Sequence, residues 1–535
     1  MNLAQRCQLV FSALFSAEPP CISIRDASKE TGIPKSSVHR HQQTIKKRQQ
    51  YPESHLWETP EGWLWLGRLL WAVIYWFGIK EGVGSDSLCG FLELLRVGGH
   101  MGISADSLRK QELKIKAQIL AYEQVQQQRI QPSQPIEICV GSDEVFFGNP
   151  ILVSVELSSG FIVIETIADN RQYATWQTQA EIAFPPRKFR CRQLVSDGAK
   201  ALIKLALKGL GCQWVPDLFH LLWNLGKPFG SALGYQLGHL ADQIAKLQGQ
   251  REKVRLQGKS TQELEVQIAQ LQQQHEQIET AQQTYREAMQ QMTTQVHPFR
   301  LDGTGFQTAL SLQAALEKPL QTLETLAQSL ALAKANTALD AFRKQIPALS
   351  MGVNGWWSWV NQALELESAP PEVSNWLVGA MLPWVYWQQQ ADKTKRPELK
   401  QIYRQAAEQA NTARLHHPLT LALSQDEQQQ WWVWSMWMVA KFQRTSSAVE
   451  GRNGYLSRLH HTNRGLAQPT LKVLTIIHNY DLKRLDGTTA AQRLFGEPFP
   501  DLFGWVLENM GEIPRPRKSK KSTQPKMPTL QGVPA

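Results

Sequence analysis

The 535-residue sequence predicts a mixed α/β core that is interrupted by a large all-α insertion and preceded by a small helical unit. Three observations carry this prediction. Short β-branched runs separated by turn residues cluster between residues 135 and 215. Strand patterning then stops at Leu225 and gives way to helical spacing and tryptophan clusters. Upstream, residues 1 to 50 have the rhythm of short helices around a glycine. A hydrophobic fraction of 42% excludes global disorder, and a formal net charge of +10 suits a polyanionic partner. Charge alone does not separate nucleic-acid binding from a basic enzyme.

The six cysteines, Cys7, Cys21, Cys89, Cys139, Cys191 and Cys212, contain no Cys-x-x-Cys pair. Reduced core thiols are expected, rather than a disulfide frame or a zinc site. The first twenty residues lack a basic stretch leading into a long apolar core, so no secretory signal is visible. The apolar run Trp63 to Ile79 contains Arg68 and falls short of the ~20 residues of a membrane span. A buried, tryptophan-rich helix is expected there, in a soluble, bacterial cytoplasmic and nucleoid-associated protein.

Element by element, Ile24 to Arg40 has helix-turn-helix character, with Ser28 in the first helix, Gly32 in the turn and Val38 packed inward. Ser36, Ser37, His39 and Arg40 would face outward, followed by Lys46, Lys47 and Arg48. Such a second helix can read base edges while the trailing cations bind phosphates. Residues 51 to 134 read as a helical linker region ending near Pro132 and Pro135. Ile136 to Val140, Ile151 to Glu156 and Phe161 to Thr166 suggest an antiparallel meander. A strand near Arg192 to Ser196, a helix from Ala199 to Lys208, a fifth strand at Cys212 to Val215 and a helix from Leu218 to Leu225 follow. This βββ-αβα order is that of an RNase H-like core, expected at 135–228 and resumed at 441–510. Between them, 229–440 is expected to be all-α. It opens with a helical hairpin broken at Gly258, and its tryptophans are expected to pack its core. Residues 511–535 read as a basic, proline-containing disordered tail able to contact phosphates.

Three acids stand out. Asp143 ends the run Ile-Glu-Ile-Cys-Val-Gly-Ser-Asp, Asp197 ends Gln-Leu-Val-Ser-Asp, and Glu450 lies in Ser-Ser-Ala-Val-Glu-Gly-Arg-Asn. Each has an ordinary explanation as a turn former, an N-cap or part of a capping box. Taken together, two aspartates at the ends of neighbouring strands plus a helical glutamate can gather divalent cations, whose hard character suits carboxylate oxygens. Glu144, next to Asp143, is the alternative ligand, because only one of two neighbours on a strand can face the site. Asp217 and His220 form an Asp-x-x-His pair at a strand-to-helix corner, where the imidazole could contact a phosphate or move a proton. Around Glu450 lie Lys441, Arg444, Arg452, Arg458, His460, His461 and Arg464. Glu450, Asn453 and Ser457 share one helical face, Arg452 and Arg458 would flank it and reach DNA phosphates, and Arg444 is expected to bind DNA as well.

With these motifs in this order, the chain resembles DDE-type transposases of the RNase H-like superfamily. It is similar to the Mutator-like and hAT-like branch, in which a Cys/Asp-x-x-His motif follows the second aspartate and a helical insertion precedes the glutamate. The resemblance implies that Asp143, Asp197 and Glu450 bind two magnesium or manganese ions, with Asp143 bridging them. Asp217 and His220 would be the accessory motif, double-stranded DNA the partner, and a homo-oligomer on DNA the working form. The expected activity is cleavage at element ends and strand transfer into target DNA. An RNase H-like nuclease without strand transfer, or a DNA-binding regulator with a decayed core, would share parts of this pattern.

Overall fold

The computed structural model describes residues 3–15, 22–48, 52–461 and 465–516. Of the disordered tail expected at 511–535, residues 511–516 are instead ordered, with Ile513 buried and Pro514 O accepting from Gly102 N at 2.6 Å; residues 517–535, Arg464 and Cys21 lie outside the described residues. The chain divides into two compact units, one of residues 131–455 with 493–495 and the other of residues up to 130 with 456–492 and 496 onward.

In the first of these, five strands form one mixed sheet: β1 (Ile136–Phe147), β2 (Asn149–Glu156), β3 (Phe161–Ile167), β4 (Phe189–Ser196) and β5 (Gln213–Pro216). Their spatial order is β3-β2-β1-β4-β5. The β1–β2 and β2–β3 pairs are antiparallel, whereas β1–β4 and β4–β5 are parallel. Gly148 (φ 87°) and Gly160 (φ 80°) supply the left-handed conformations that the two tight turns of the meander need. Parallel pairing demands a crossover, and the helix Tyr173–Ala183 provides it between β3 and β4. That helix was not foreseen, because only Trp176 and Ala180 of its eleven residues are buried and its apolar periodicity is weak. Alternate residues of the central strands feed different cores. Ile138, Val140 and Leu194 pack with Trp176 and Leu202 on one face. On the other, Cys139, Val195 and Val215 join the core of the helical insertion.

The insertion is continuous with the sheet rather than appended to it. The helix expected to end at Leu225 runs from Leu218 to Leu256, 39 residues, passing through Pro228. Gly258 (φ 69°) ends it, and the helix Gln262–Gln295 packs back along it. Trp356, Trp359, Trp376 and Trp387 are buried in the insertion core, as expected of the first two clusters; of the third, Trp431, Trp432 and Trp434 are partly buried against it and Trp437 is exposed. A polar knot lies within that core. His297 Nδ1 is 2.5 Å from Tyr386 Oη, and Nε2 is 3.1 Å from both Tyr403 Oη and Arg444 Nη1. Burial, reinforced by the Arg444 charge, holds the imidazole well below its ordinary pKa. The ring is therefore neutral and accepts a hydrogen bond from the guanidinium.

In the other unit, the helices Leu3–Phe15, Ile24–Thr31 and Lys35–Arg48 close around Val10, Ala27, Val38 and Ile45. Gly32 (φ 65°) makes the turn between the second and third. Residues 51–134 were expected to be a linker region, but most of them build a core shared with the C-terminal segments. Tyr122 Oη donates to Pro500 O at 2.7 Å, and Lys472 pairs with Glu123 at 2.7 Å. Lys80 Nζ lies 3.0 Å from an Asp481 carboxylate oxygen. The part of the chain after Glu450 that stays with the sheet is correspondingly smaller than the expected 441–510. Among the described residues, one helix, Pro60–Lys80, is long and apolar enough to cross a membrane, and 56% of its apolar window is buried.

Candidate functional site

Strand register brings the two aspartates together. In the parallel pair β1–β4, Gly141 lies beside Val195. Carried two residues further, the same register sets Asp143 beside Asp197. Asp143 does not end its strand as expected. β1 continues to Phe147, because β2 pairs with it along that length. Asp197 directly follows β4, where its Oδ1 accepts a hydrogen bond from Ala199 N at 3.0 Å and closes a turn over Gly198 (φ 92°). The turn-forming role considered for Asp197 is thus real and occupies one of its two oxygens. Glu144 points to the opposite face, where it accepts from Trp176 Nε1 at 3.3 Å, so of the two neighbours Asp143 faces the site.

The helix Ser447–Leu459 carries Glu450 across this face, and three contacts fix it there. A Cβ at Gly141 would lie 2.7 Å from Leu157 Cδ2 and 3.1 Å from Val449 Cγ2, so only glycine allows the helix this close to β1. Arg452, 4% exposed, forms a two-pronged ion pair with Glu165 of β3, Nε to Oε1 and Nη2 to Oε2 both at 2.6 Å. One residue later, Asn453 Nδ2 donates to Asp143 Oδ2 at 3.0 Å.

Asp217 ties the remaining piece. It caps the helix Leu218–Leu256 by accepting His220 N at Oδ1, 3.1 Å. Its Oδ2 accepts both Ser446 N and Ser446 Oγ at 2.5 Å, and Leu218 N donates to Arg444 O at 2.9 Å. The starts of two helices far apart in sequence are thereby clasped together. As a result, His220 Nε2 lies 3.3 Å from Glu450 Oε1, though not aligned as a hydrogen bond.

The electrostatics are those of carboxyls crowded together and partly withdrawn from water. Burial pushes the Asp143 carboxyl above its usual range; the Asp197 and Glu450 charges add to this, while the Glu144 backbone N–H and His220 oppose it. Burial also raises Glu450, helped by the Asp217 charge and opposed by His220. Asp217, His220 and Glu450 each bring one potential ligand atom within 4.8 Å of the others. Asp143, Asp197 and Glu450 do not come this close together. Both Asp217 oxygens are already occupied by three N–H or O–H donors, so Asp217 positions its neighbours and has little left to offer an ion. Glu450 Oε1, by contrast, is buried without a hydrogen-bond partner. The oxygen-only donors Asp143, Asp197 and Glu450, with that orphaned oxygen among them, fit a hard divalent cation.

The basic residues fall out differently. Arg452 was expected to flank the helix and reach phosphate, but Glu165 holds it in the core. Arg444 was expected to face DNA; it donates to Thr293 O, Val296 O and His297 within the insertion. Arg458 belongs to the other unit and pairs with Glu81 at 2.9 Å. Ser36, His39, Arg40, Lys46 and Lys47 are exposed on the helix Lys35–Arg48, and Ser37 is half-buried. Ser446, Glu165 and Gly141 were not anticipated, since each matters only through a partner on another element. Comparison with known proteins adds little: a model described as a family of unknown function (DUF6399) matches residues 377–522. That segment contains Glu450, Arg452 and Asn453 but none of Asp143, Asp197, Asp217 and His220. No curated protein and no solved structure matches the chain.

Arg452→Met should cost roughly 3–5 kcal/mol in urea unfolding of this unit, because Glu165 is left buried and uncompensated. Adding Glu165→Leu should recover most of that loss, whereas an unchanged urea midpoint for Arg452→Met alone would mean that the pair does not hold the helix. Asp143→Asn should raise the thermal midpoint at neutral pH by roughly 1–3 °C, as it relieves burial and like-charge repulsion while keeping an acceptor for Asn453. A carboxyl whose folded pKa is raised destabilises the fold wherever it is ionised. The gain should therefore be complete above the folded-state value and vanish as pH falls through the ordinary aspartate range. Differential scanning calorimetry across pH, without added metal, checks both the sign and the window.

Proposed function

We propose that this chain is a DDE-type DNA transposase, with an RNase H-like catalytic core in which Asp143, Asp197 and Glu450 are the metal ligands. The observation that carries the proposal is the parallel β1–β4 register, which leads Asp143 of β1 toward Asp197 just after β4, close enough for their charges to interact, beneath a pinned helix bearing Glu450. The strand order β3-β2-β1-β4-β5, with β2 antiparallel to its neighbours, agrees with this reading. Two magnesium or manganese ions held by these acids would supply Lewis-acid activation of water, and then of a 3′-hydroxyl, for attack on a phosphodiester. The chain's own groups have separate tasks. Asp217 and Ser446 hold the two helix starts in place. The half-buried His220 imidazole faces Glu450, where it can carry a proton or touch a phosphate oxygen. Arg452 acts through Glu165 on the helix position, not on DNA.

Double-stranded DNA is the proposed partner, bound by a homo-oligomer that handles two element ends together. Recognition of the ends is assigned to the helix-turn-helix arrangement of Ile24–Thr31 and Lys35–Arg48, with Ser36, Ser37, His39 and Arg40 over base edges and Lys46 and Lys47 on phosphates.

Asp197→Asn and Glu450→Gln should each lower manganese-supported nicking of plasmid DNA by about a thousandfold or more, with DNA affinity nearly unchanged, since only the cation-holding charge is lost. Nicking by Asp197→Asn at the wild-type rate would remove Asp197 from the ligand set. Supplying ends with a free 3′-hydroxyl tests the rest: joining to target DNA is expected, and cutting without joining would favour a nuclease. Deleting residues 1–50 should abolish discrimination between the element's own ends and random duplex, yet leave weak binding that falls steeply with salt. Fluorescence anisotropy at several salt concentrations measures this, and equal discrimination by the shortened chain would move sequence reading elsewhere.

A further inference from the structure

We propose that the side-chain oxygen of Asn453 is a fourth protein ligand for a divalent cation held by Asp143 and Glu450. The inference rests on reading the acidic centre as a metal site, and it adds a residue to that site. An asparagine carboxamide has a donating and an accepting end, and here the two are unequally served. The nitrogen is committed to Asp143 Oδ2 at 3.0 Å, which fixes the orientation of the amide. The oxygen, facing the other way, is buried and has no hydrogen-bond partner. One turn earlier on the same helix, Glu450 Oε1 is also buried without one. Residues three apart lie on one face of a helix, so Glu450 and Asn453 extend from neighbouring positions on that face.

Unpaired buried acceptors are costly, and the two are not equally placed: Glu450 Oε1 has His220 Nε2 at 3.3 Å, unaligned as a hydrogen bond, whereas Asn453 Oδ1 has no hydrogen-bond donor. The helix cannot rotate to find donors, because Arg452, between the two residues, is locked to Glu165. Of the adjacent groups, Asp143 and Asp197 are acceptors as well, and His220 approaches the Glu450 oxygen. What satisfies such a pair is a positive centre that takes several oxygens at once, and amide and carboxylate oxygens together suit manganese, magnesium or calcium. A neutral amide also adds a ligand without adding a further negative charge to three carboxylates that already repel one another. The same side chain would then hold Asp143 through its nitrogen and the ion through its oxygen.

Manganese binding to the full-length protein without DNA, followed by titration calorimetry, tests this with a readout other than activity. Asn453→Ala should weaken binding about tenfold, within the range seen when a partner of a metal site is lost. Asn453→Asp separates the two tasks of the side chain. A ligand role predicts binding as tight as wild type or tighter, because an oxygen remains and gains charge. A purely positioning role predicts a loss at least as large as that of alanine, because the new carboxylate repels Asp143. Asn453→Cys supplies an independent arm: with cadmium, an ultraviolet sulfur-to-metal charge-transfer band above the wild-type background should appear, and it should vanish when Asp143→Asn is added. If wild type binds manganese and Asp143→Asn abolishes it, but all three Asn453 variants bind like wild type and no band appears, the Asn453 assignment is overturned alone. If wild type binds no manganese, the metal reading of the acidic centre falls, and this assignment with it.

Discussion

One carboxylate organises the candidate site. Asp217 gives one oxygen to the first turn of the 39-residue helix and the other to the backbone and hydroxyl of Ser446, 229 positions later in the chain. Every group whose position depends on the meeting of those helix starts depends on this single buried side chain. His220 is three residues past the clasp on one side, and Glu450 is four residues past it on the other. Neither helix could place its polar group by local propensity alone. The clasp also explains why a large insertion can stand between the second aspartate and the glutamate. Leu218 N bonds to Arg444 O, so the chain leaves and re-enters the sheet region at one point, and what lies between is closed off as a loop of the core.

The return path is stiffened from the insertion side. Arg444 is held by two backbone carbonyls and by the neutral His297, itself fixed by two tyrosine hydroxyls in a tryptophan-rich core. A charged group is tolerated in that environment because its donors are met and the imidazole carries no competing charge. The tryptophans thus contribute to the site at a distance, by making rigid the wall against which residues 441–446 lie. Beyond Ser446, the Arg452–Glu165 pair and the bare Cα of Gly141 complete the alignment. The centre is consequently built at some energetic cost, with carboxyls raised above their normal range and acceptors left unmatched. Such a concentration of unfavourable terms on a well-braced frame is characteristic of sites retained for binding or chemistry.

Much of the strand order was legible in the sequence, because β-branched runs and glycine turns report directly on local geometry. The neighbouring placement of Asp143 and Asp197 followed from that order. Boundaries were less legible: Asp143 looked like a strand end because Phe146 and Phe147 extend a hairpin whose partner lies in the next segment. The continuation of the Leu218 helix past Pro228 was hidden, since a proline and several glycines on an exposed face look like an ending. The basic residues misled most. Arg444 and Arg452 occur in a positively charged segment and were read as surface groups. Their burial depends on Glu165 and His297, and no local pattern announces either partner. Asn453 lay on the expected face of its helix, but its bond to Asp143 exists only because Gly141 lets the helix come close.

The long helix has a mechanical meaning. At 1.5 Å per residue, a 39-residue helix is roughly 58 Å from end to end. One end is anchored by Asp217 beside His220; the other reaches the bend at Gly258, where Leu256 is 77% exposed. Because the return helix packs against it, the two form a doubled strut rather than a single rod. The two parts of the long helix differ: Leu218, Leu221, Leu225, Phe229 and Leu233 are packed in the insertion core, while the turns from Gly234 to Leu256 have no fully buried residue. The core therefore clamps the end beside His220 and leaves the outer half of that helix as an exposed arm.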